Sequence, residues 1–467
     1  MATSAFGVGL SVLPSDPIKQ PPSARVSEKP PSLEDLDAME LPSYGLTTKY
    51  SKPTISTSPP NDLEQSQPPT TQQGSAAGIL PTLWYPPMNR YRVAACCAEY
   101  FANGLNDAAP GALIPYIESS YSIGYAVVSM IWISNAVGFI LAAFTSDLIC
   151  ARLGRAKSLM LSEIFVIAAY AVIACPVPFP VVVVAYCAIG FGEALEIALN
   201  NVFLANLANA TVVFGAAQGF YGVGGTIGPL MATALVSGGV HWSVFYAIAI
   251  GFRVVNFGVV GWSFWGYEKE GVSQFGNSLQ QMASQQEERE TSKLGMMRRA
   301  LRNRTTVIGA LFIFAYQGAE VAEAGWVITY LIDYRDGDPK KVGYVTSGFW
   351  AGLTIGRFVL THIATRVGEK PFVVVMTVGC LAFQFLVWFV PSIIGEAVAV
   401  AIIGLLIGPI YPGAQTVFTR LLPGKLQVFA IGFISSMGSS GGALVPFLTG
   451  LIAQAAGTFV LHPICIL

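Results

Sequence analysis

The chain has 467 residues, 53% of them hydrophobic and only 11% charged, whereas a soluble domain carries about 25% charged residues. That excludes an ordinary water-soluble globular protein and implies a polytopic protein set in a lipid bilayer. A formal net charge of −1 gives no electrostatic case for nucleic acid, and the seven cysteines form no C-x-x-C pair and accompany no histidine cluster, so neither a metal site nor a cofactor is expected.

From 1 to 88 the chain is rich in Pro, Ser, Thr and Gln, with Pro21-Pro22, Pro30-Pro31, Pro59-Pro60 and Pro68-Pro69, and is too polar to bury a core; a disordered tail is expected. It lacks a basic segment followed by an apolar one at its start, so the first membrane helix is expected to direct insertion. After Arg90 and Arg92, apolar runs of about 20 residues, the length that crosses hydrocarbon, predict helices at 93–117, 122–146, 157–175, 180–205, 213–237 and 242–265, a first half covering 89–265.

The stretch 266–304 is polar and glutamine-rich and ends in Arg298-Arg299-Ala300-Leu301-Arg302-Asn303-Arg304, which reads as a cytoplasmic linker. Its last part, with Leu294, Met296, Met297 and Leu301 among the arginines, fits either an amphipathic helix on the membrane surface or a solvated basic loop. The second half, 305–467, predicts spans at 305–333, 341–364, 371–391, 395–418 and 427–453, eleven in all. From Ala455 the chain runs about ten residues into what a twelfth helix needs, so the last helix is expected to be incomplete, as from a truncated gene model or splice form.

Arg90, Arg92, Arg152, Arg155, Lys157, the linker cations, Arg366, Lys370, Arg420 and Lys425 all fall on one side if the spans alternate. The positive-inside rule then puts the N-terminus in the cytoplasm, with the plasma membrane as the default compartment.

Ionisable residues at membrane depth are costly and are read as functional. Asp107 lies in such a run, in Tyr100-Phe-Ala-Asn-Gly-Leu-Asn-Asp107-Ala-Ala-Pro110. An internal repeat finds its counterpart: Gly224-Gly225-Thr-Ile-Gly-Pro229 matches Gly441-Gly442-Ala-Leu-Val-Pro446, Arg152-Leu-Gly154 matches Arg366-Val-Gly368, and Gly190 lands on Gly404. The same offset carries Asp107 to the side of Glu320, so the chain reads as two parallel halves that rock about a midplane site. Two matched carboxylates facing one cavity point to a proton-coupled carrier; the bland alternative is a carboxylate that pins helices by hydrogen bonds. Arg253, mid-span in the sixth helix, is placed to be the counter-ion of one of these acids.

Ser146-Asp147-Leu-Ile-Cys-Ala-Arg152-Leu-Gly154-Arg155-Ala-Lys157 resembles the cytoplasmic signature of the major facilitator superfamily between its second and third helices. The resemblance implies an all-α membrane fold of two pseudo-symmetric six-helix halves, with Asp147, Arg152, Gly154 and Arg155 in a latch at helix ends, and Arg357 and Arg366 in a second copy that lacks the acidic partner. Phe101-Ala-Asn103-Gly-Leu-Asn106-Asp107 is similar to the first helix of the fucose and galactose proton symporters in that superfamily. Gly190-Phe-Gly192-Glu193-Ala-Leu-Glu196-Ile-Ala-Leu-Asn200-Asn201 is similar to their fourth helix, and Ala217-Gln218-Gly-Phe-Tyr-Gly222 and Tyr316-Gln-Gly-Ala-Glu320-Val321 to their fifth and seventh.

That likeness implies proton coupling at Asp107, Glu196 and Glu320, and solute contacts from Asn103, Asn106, Asn200, Gln218 and Trp326. Glu196 and Asn200 are four apart and share one helix face, so both can meet one substrate. Trp326 fits either stacking on a pyranose face or packing at a helix interface. Three departures leave the sugar open: Asn201-Val202 stands where the group has Pro, Glu193 is an additional acid, and Trp326 follows Glu320 closely.

The expectation is a monomeric transporter, not an enzyme, that moves a small polar solute, a hexose, by proton symport. Rival readings are a proton antiporter exporting a drug or metabolite, for which Gly228-Pro229 speaks but the following Leu-Met-Ala-Thr does not, and a nutrient sensor signalling through the N-terminal tail. G-x-x-x-x-G-K-[ST] is absent, so nothing supports direct ATP drive.

Overall fold

A backbone surrounded by lipid must satisfy its own N–H and C=O groups, and the apolar runs accordingly fold as helices. The computed structural model describes residues 81–208, 210–270, 298–360, 363, 366–422 and 424–467. The tail up to Leu80 and the linker from 271 to 297, with Leu294, Met296 and Met297, lie outside the described residues.

In the first half the helices are α1 (Asn89–Tyr121), α2 (Tyr125–Val128), α3 (Met130–Leu153), α4 (Arg155–Ala174), α5 (Phe179–Ala205), α6 (Ala210–Ser237) and α7 (Val244–Phe264). The second half has α8 (Arg304–Asp333), α9 (Pro339–Val342), α10 (Val345–Ile355), α11 (Glu369–Phe389), α12 (Ile393–Ile407), α13 (Ile410–Leu421), α14 (Gly424–Ala456) and the short α15 (Leu461–Ile466). Among the described residues, nine helices are long and apolar enough to cross a membrane. The chain is a multi-pass membrane protein. α1 is 33 residues long but carries Glu99, Asn103, Asn106 and Asp107 in its middle, and the eighth segment is short.

Two predicted spans are not continuous α-helices. The segment expected at 341–364 begins as α9, resumes as α10 and widens into a π-helical stretch over Gly356–Leu360 that holds Arg357. The segment expected at 395–418 breaks between α12 and α13 at Gly408-Pro409, where proline has no N–H with which to continue the ladder. Between α3 and α4 the chain turns in one residue, Gly154, at φ +78°, a left-handed conformation that a side chain would strain.

Each half is built on the same two helix pairs. α1 packs on α6 and α3 on α5 in the first; α8 packs on α14 and α10 on α12 in the second. The contacts repeat at backbone distance. A Cβ on Gly190 would lie 2.1 Å from the Asn135 carbonyl oxygen, and one on the matching Gly404 2.1 Å from that of Phe349. In the other pair, a Cβ on Gly224 would lie 2.0 Å from the Phe101 carbonyl oxygen and one on Gly441 2.1 Å from that of Phe314. Small residues at these crossings let helix backbones touch, the usual source of helix association in lipid.

The halves meet through α6 on α10, α1 on α8, and α14 on α2 and α3. At the end remote from the Arg152–Arg155 turn, the Tyr125 hydroxyl donates to Asp333 Oδ2 at 2.6 Å and a Cβ on Gly111 would strike the Ala324 carbonyl oxygen at 2.1 Å. That end is closed.

Candidate functional site

The largest concentration of buried charge lies inside the first half. Arg253 on α7 is 1% exposed and projects between α1, α4 and α5. Its Nη1 donates to Glu196 Oε2 at 3.1 Å and sits 3.6 Å from Glu163 Oε1. Its Nη2 donates to Glu193 Oε1 at 3.1 Å and to Asn103 Oδ1 at 2.6 Å. The Asn103 amide closes the ring by donating to Glu196 Oε1 at 3.1 Å. A guanidinium is suited to this place because it stays charged and presents several donors in a fixed fork.

The same network extends one turn along α5 and α1. Asn200 Nδ2 donates to Glu99 Oε2 at 2.6 Å, Cys96 Sγ donates to Asn200 Oδ1 at 3.3 Å, and the Tyr100 hydroxyl donates to Asn201 Oδ1. Asn103, Glu196 and Asn200, assigned to coupling or solute contact from sequence, are therefore brought together, and all three are buried.

Asp107 stands one turn beyond Asn103 on α1 and faces the other half. Tyr221 of α6 donates its hydroxyl to Asp107 Oδ2 at 2.9 Å, and Asn106 Nδ2 approaches Oδ1 at 3.4 Å. Asp107 lines a pocket with Pro110, Trp132, Val321, Ala324 and Trp350, whose free volume of about 10 Å³ has room on the order of one water. Glu320, beside Val321 on α8, pairs with Arg357 Nη2 at 3.5 Å from its Oε1. The carboxylates of the repeat thus flank the seam between the halves from opposite sides.

Three further residues fall elsewhere. Trp326 is 2% exposed, donates Nε1–H to the Pro446 carbonyl at 2.9 Å and packs against Trp132 and Tyr125, so it belongs to the closed end of the seam. Gln218 is half-buried on α6. Glu323 is buried and accepts from Gln384 Nε2 at 3.0 Å, which in turn lies 2.9 Å from His462 Nδ1.

At the opposite end Asp147, Arg152 and Arg366 are exposed, while Arg155 is buried. The Arg155 backbone N–H donates to Glu268 Oε1 at 2.5 Å, its Nη1 donates to the Leu199 carbonyl, and Arg92 grips Glu270 with both terminal nitrogens at 2.8 and 2.6 Å. The second copy of the signature has no acidic partner within its own motif. Tertiary folding provides an ion pair nearby: Glu369, next to Gly368, takes both terminal nitrogens of Arg420 at 2.7 and 2.8 Å.

Glu99 and Glu163 are the site residues that motif reading passes over. Both carry the signal that marked Asp107, a carboxylate inside an apolar run, but neither belongs to a recognisable pattern.

The family model of the Major Facilitator Superfamily matches residues 97–446, three quarters of the chain. The chain belongs to this superfamily. It is a transporter and not an enzyme. Bypass of stop codon protein 6 of Saccharomyces cerevisiae is 25% identical over 403 residues, covering 81% of this chain and 80% of that protein. The glucose/galactose transporter of Brucella abortus is 28% identical over 186 residues, 35% of this chain and 40% of that protein. Among solved structures, a D-xylose-proton symporter superposes with TM-score 0.63 at 12% identity, covering 81% of this chain and 95% of that one. A nucleoside transporter, NupG, gives TM-score 0.61 at 10% identity, covering 80% and 95%. At these identities the superpositions speak for the fold alone.

Proposed function

We propose that this superfamily member is a proton symporter taking up a small polar solute, a hexose, by alternating access. One observation carries the reading. Asn103 joins Arg253 to Glu196 through its two amide atoms, and it lies on the same helix as Asp107, four residues away, where Asp107 faces the other half. Loading a proton on Glu196 cancels the charge that Arg253 and Asn103 hold. The network then loosens, and the change reaches the seam along one turn of α1. A proton at Asp107 acts on the seam directly. A ligand shifts a conformational equilibrium only as far as it binds the two states differently, and a carboxylate changing its charge at a buried pair supplies that difference.

In this scheme Asp107, Glu196 and Glu320 couple protons. Asn103, Asn106, Asn200, Gln218 and Trp326 are the solute-facing set, with Trp326 engaged only when the closed end opens. Asp147, Arg152, Gly154, Arg155, Arg357 and Arg366 govern the switch between states. The end bearing Arg152 and Arg155 faces the cytoplasm, so the end closed by Tyr125, Asp333 and Trp326 is the outer one. The hexose assignment draws on the partial likeness to the Brucella glucose/galactose transporter and on the first- and fourth-helix motifs of the fucose and galactose symporters.

The test is uptake of radiolabelled glucose and galactose into proteoliposomes under an imposed inward proton gradient, for the wild type, Asp107→Asn and Glu196→Gln. Gradient-driven accumulation by the wild type and its loss in both variants is the expected result. A wild type that accumulates no hexose under any gradient overturns the proposal.

A further inference from the structure

We propose that Glu99 of α1, Glu163 of α4 and Glu196 of α5 form a binding site for Na+ in the core of the first half. The inference goes beyond the transport reading and needs neither a hexose nor a proton gradient. Three observations carry it.

The first is geometric. One carboxylate oxygen from each of the three residues lies within 4.8 Å of the other two. Oxygens on opposite sides of a Ca2+ ion, with bonds of about 2.3–2.6 Å, stand about 4.6–5.2 Å apart, and Na+ has nearly the same radius.

The second is an unmet demand for partners. Neither oxygen of Glu163 makes a hydrogen bond within 3.5 Å although the residue is 0% exposed; Arg253 Nη1 is 3.6 Å from Oε1, and Asn256 faces the same carboxylate. Glu99 Oε1 is likewise without one, while Asn200 holds the other Glu99 oxygen in place. Buried polar atoms are ordinarily satisfied, so such a concentration in one cluster calls for a ligand.

The third is charge. Glu163, Glu193 and Glu196 lie within 3.6 Å of one guanidinium, Glu99 lies one turn further along α1, and all four are fully buried. Burying unbalanced carboxylates is severely unfavourable unless a cation or protons compensate them. A monovalent ion is the metal that adds least repulsion to Arg253, which already touches two of the three carboxylates. Arg155, the other buried cation beside the cluster, donates its Nη1 to the Leu199 carbonyl, and Cys96, Tyr100, Tyr170 and Asn256 supply no positive charge.

Binding of 22Na+ to the purified full chain in detergent, with choline holding the ionic strength constant, tests the assignment. Saturable binding of one Na+ per chain is expected, displaced by unlabelled Na+ and weakened at least tenfold in Glu163→Gln and in Glu99→Gln. Should the glutamine variants not fold, Glu163→Asp keeps the charge but withdraws its oxygens from the cluster, and the same weakening is expected. No saturable 22Na+ binding by the wild type overturns the proposal, as does 45Ca2+ binding without Na+ binding or undiminished Na+ binding in the variants. Because the assay contains no sugar, its failure leaves the symport reading standing, and a failure of sugar uptake leaves the Na+ site standing.

Discussion

The first half buries Arg253 among Glu163, Glu193 and Glu196, each side chain of these pairs at 0–1% exposure, whereas the second half brings its own central pair, Arg357 and Glu320, to side-chain exposures of 20% and 8% beside the seam. Yet the two halves repeat the close approach of their helices: an added Cβ would lie 2.0 Å from a carbonyl oxygen at Gly224 and 2.1 Å from one at Gly441. Helix packing and buried charge are therefore separate properties of this fold. Crossings depend on small residues that admit a neighbouring backbone, and a repeat preserves them. Charge depends on which side chains each helix turns inward, and there the halves have diverged into a sealed network and a pair open to the seam.

The strongest way to break this comparison is to remove each arginine in turn. Arg253→Met strands several buried carboxylates and is expected to cost about 3–5 kcal/mol, seen as loss of a monodisperse folded peak or a large fall in Tm in detergent. Arg357→Met strands the single carboxylate of Glu320 beside the seam and is expected to cost less, about 1–3 kcal/mol. Equal losses would contradict the sealed-versus-open distinction.

The shared packing can be tested at the crossings. Gly224→Ala and Gly441→Ala each place a Cβ about 2 Å from a neighbouring carbonyl oxygen and are expected to lower stability by similar amounts, about 1–3 kcal/mol, by thermal unfolding. A large effect in one half alone would break the symmetry.

Tyr125→Phe deletes the hydroxyl that reaches Asp333 across the closed end. Loss of one such bond, about 1 kcal/mol, shifts the population toward opening at that end roughly fivefold, measurable by distance distributions between spin labels on the two halves. The smallest effect is expected at Gly432 of α14, where an added Cβ meets nothing within 4 Å: Gly432→Ala is expected to be neutral or to stabilise by up to about 1 kcal/mol through helix propensity.

Much of the fold was legible in the chain before any coordinates. The predicted runs overlie the observed helices, and the glycine-rich repeat located both pairs of crossings. The failures were local. A π-helical stretch at Gly356–Leu360 and a break at Gly408-Pro409 leave the hydropathy of a segment unchanged, so a window of apolar residues passes over them. For the site, Asp107, Glu196 and Arg253 stood out as ionisable groups in apolar surroundings. That Arg253 meets Asn103, 150 residues away, as well as Glu196, 57 residues away, is not encoded in any local pattern.

By itself the sequence determined that this is a helical membrane protein with a duplicated plan, because transfer of apolar runs into lipid and backbone self-satisfaction act segment by segment. Only the tertiary structure decided which charges meet, that Trp326 seals one end of the seam, and that Glu99 and Glu163 join the cluster. Those outcomes depend on the rotation of each helix about its axis and on its neighbours, and both are settled only when all the helices pack together.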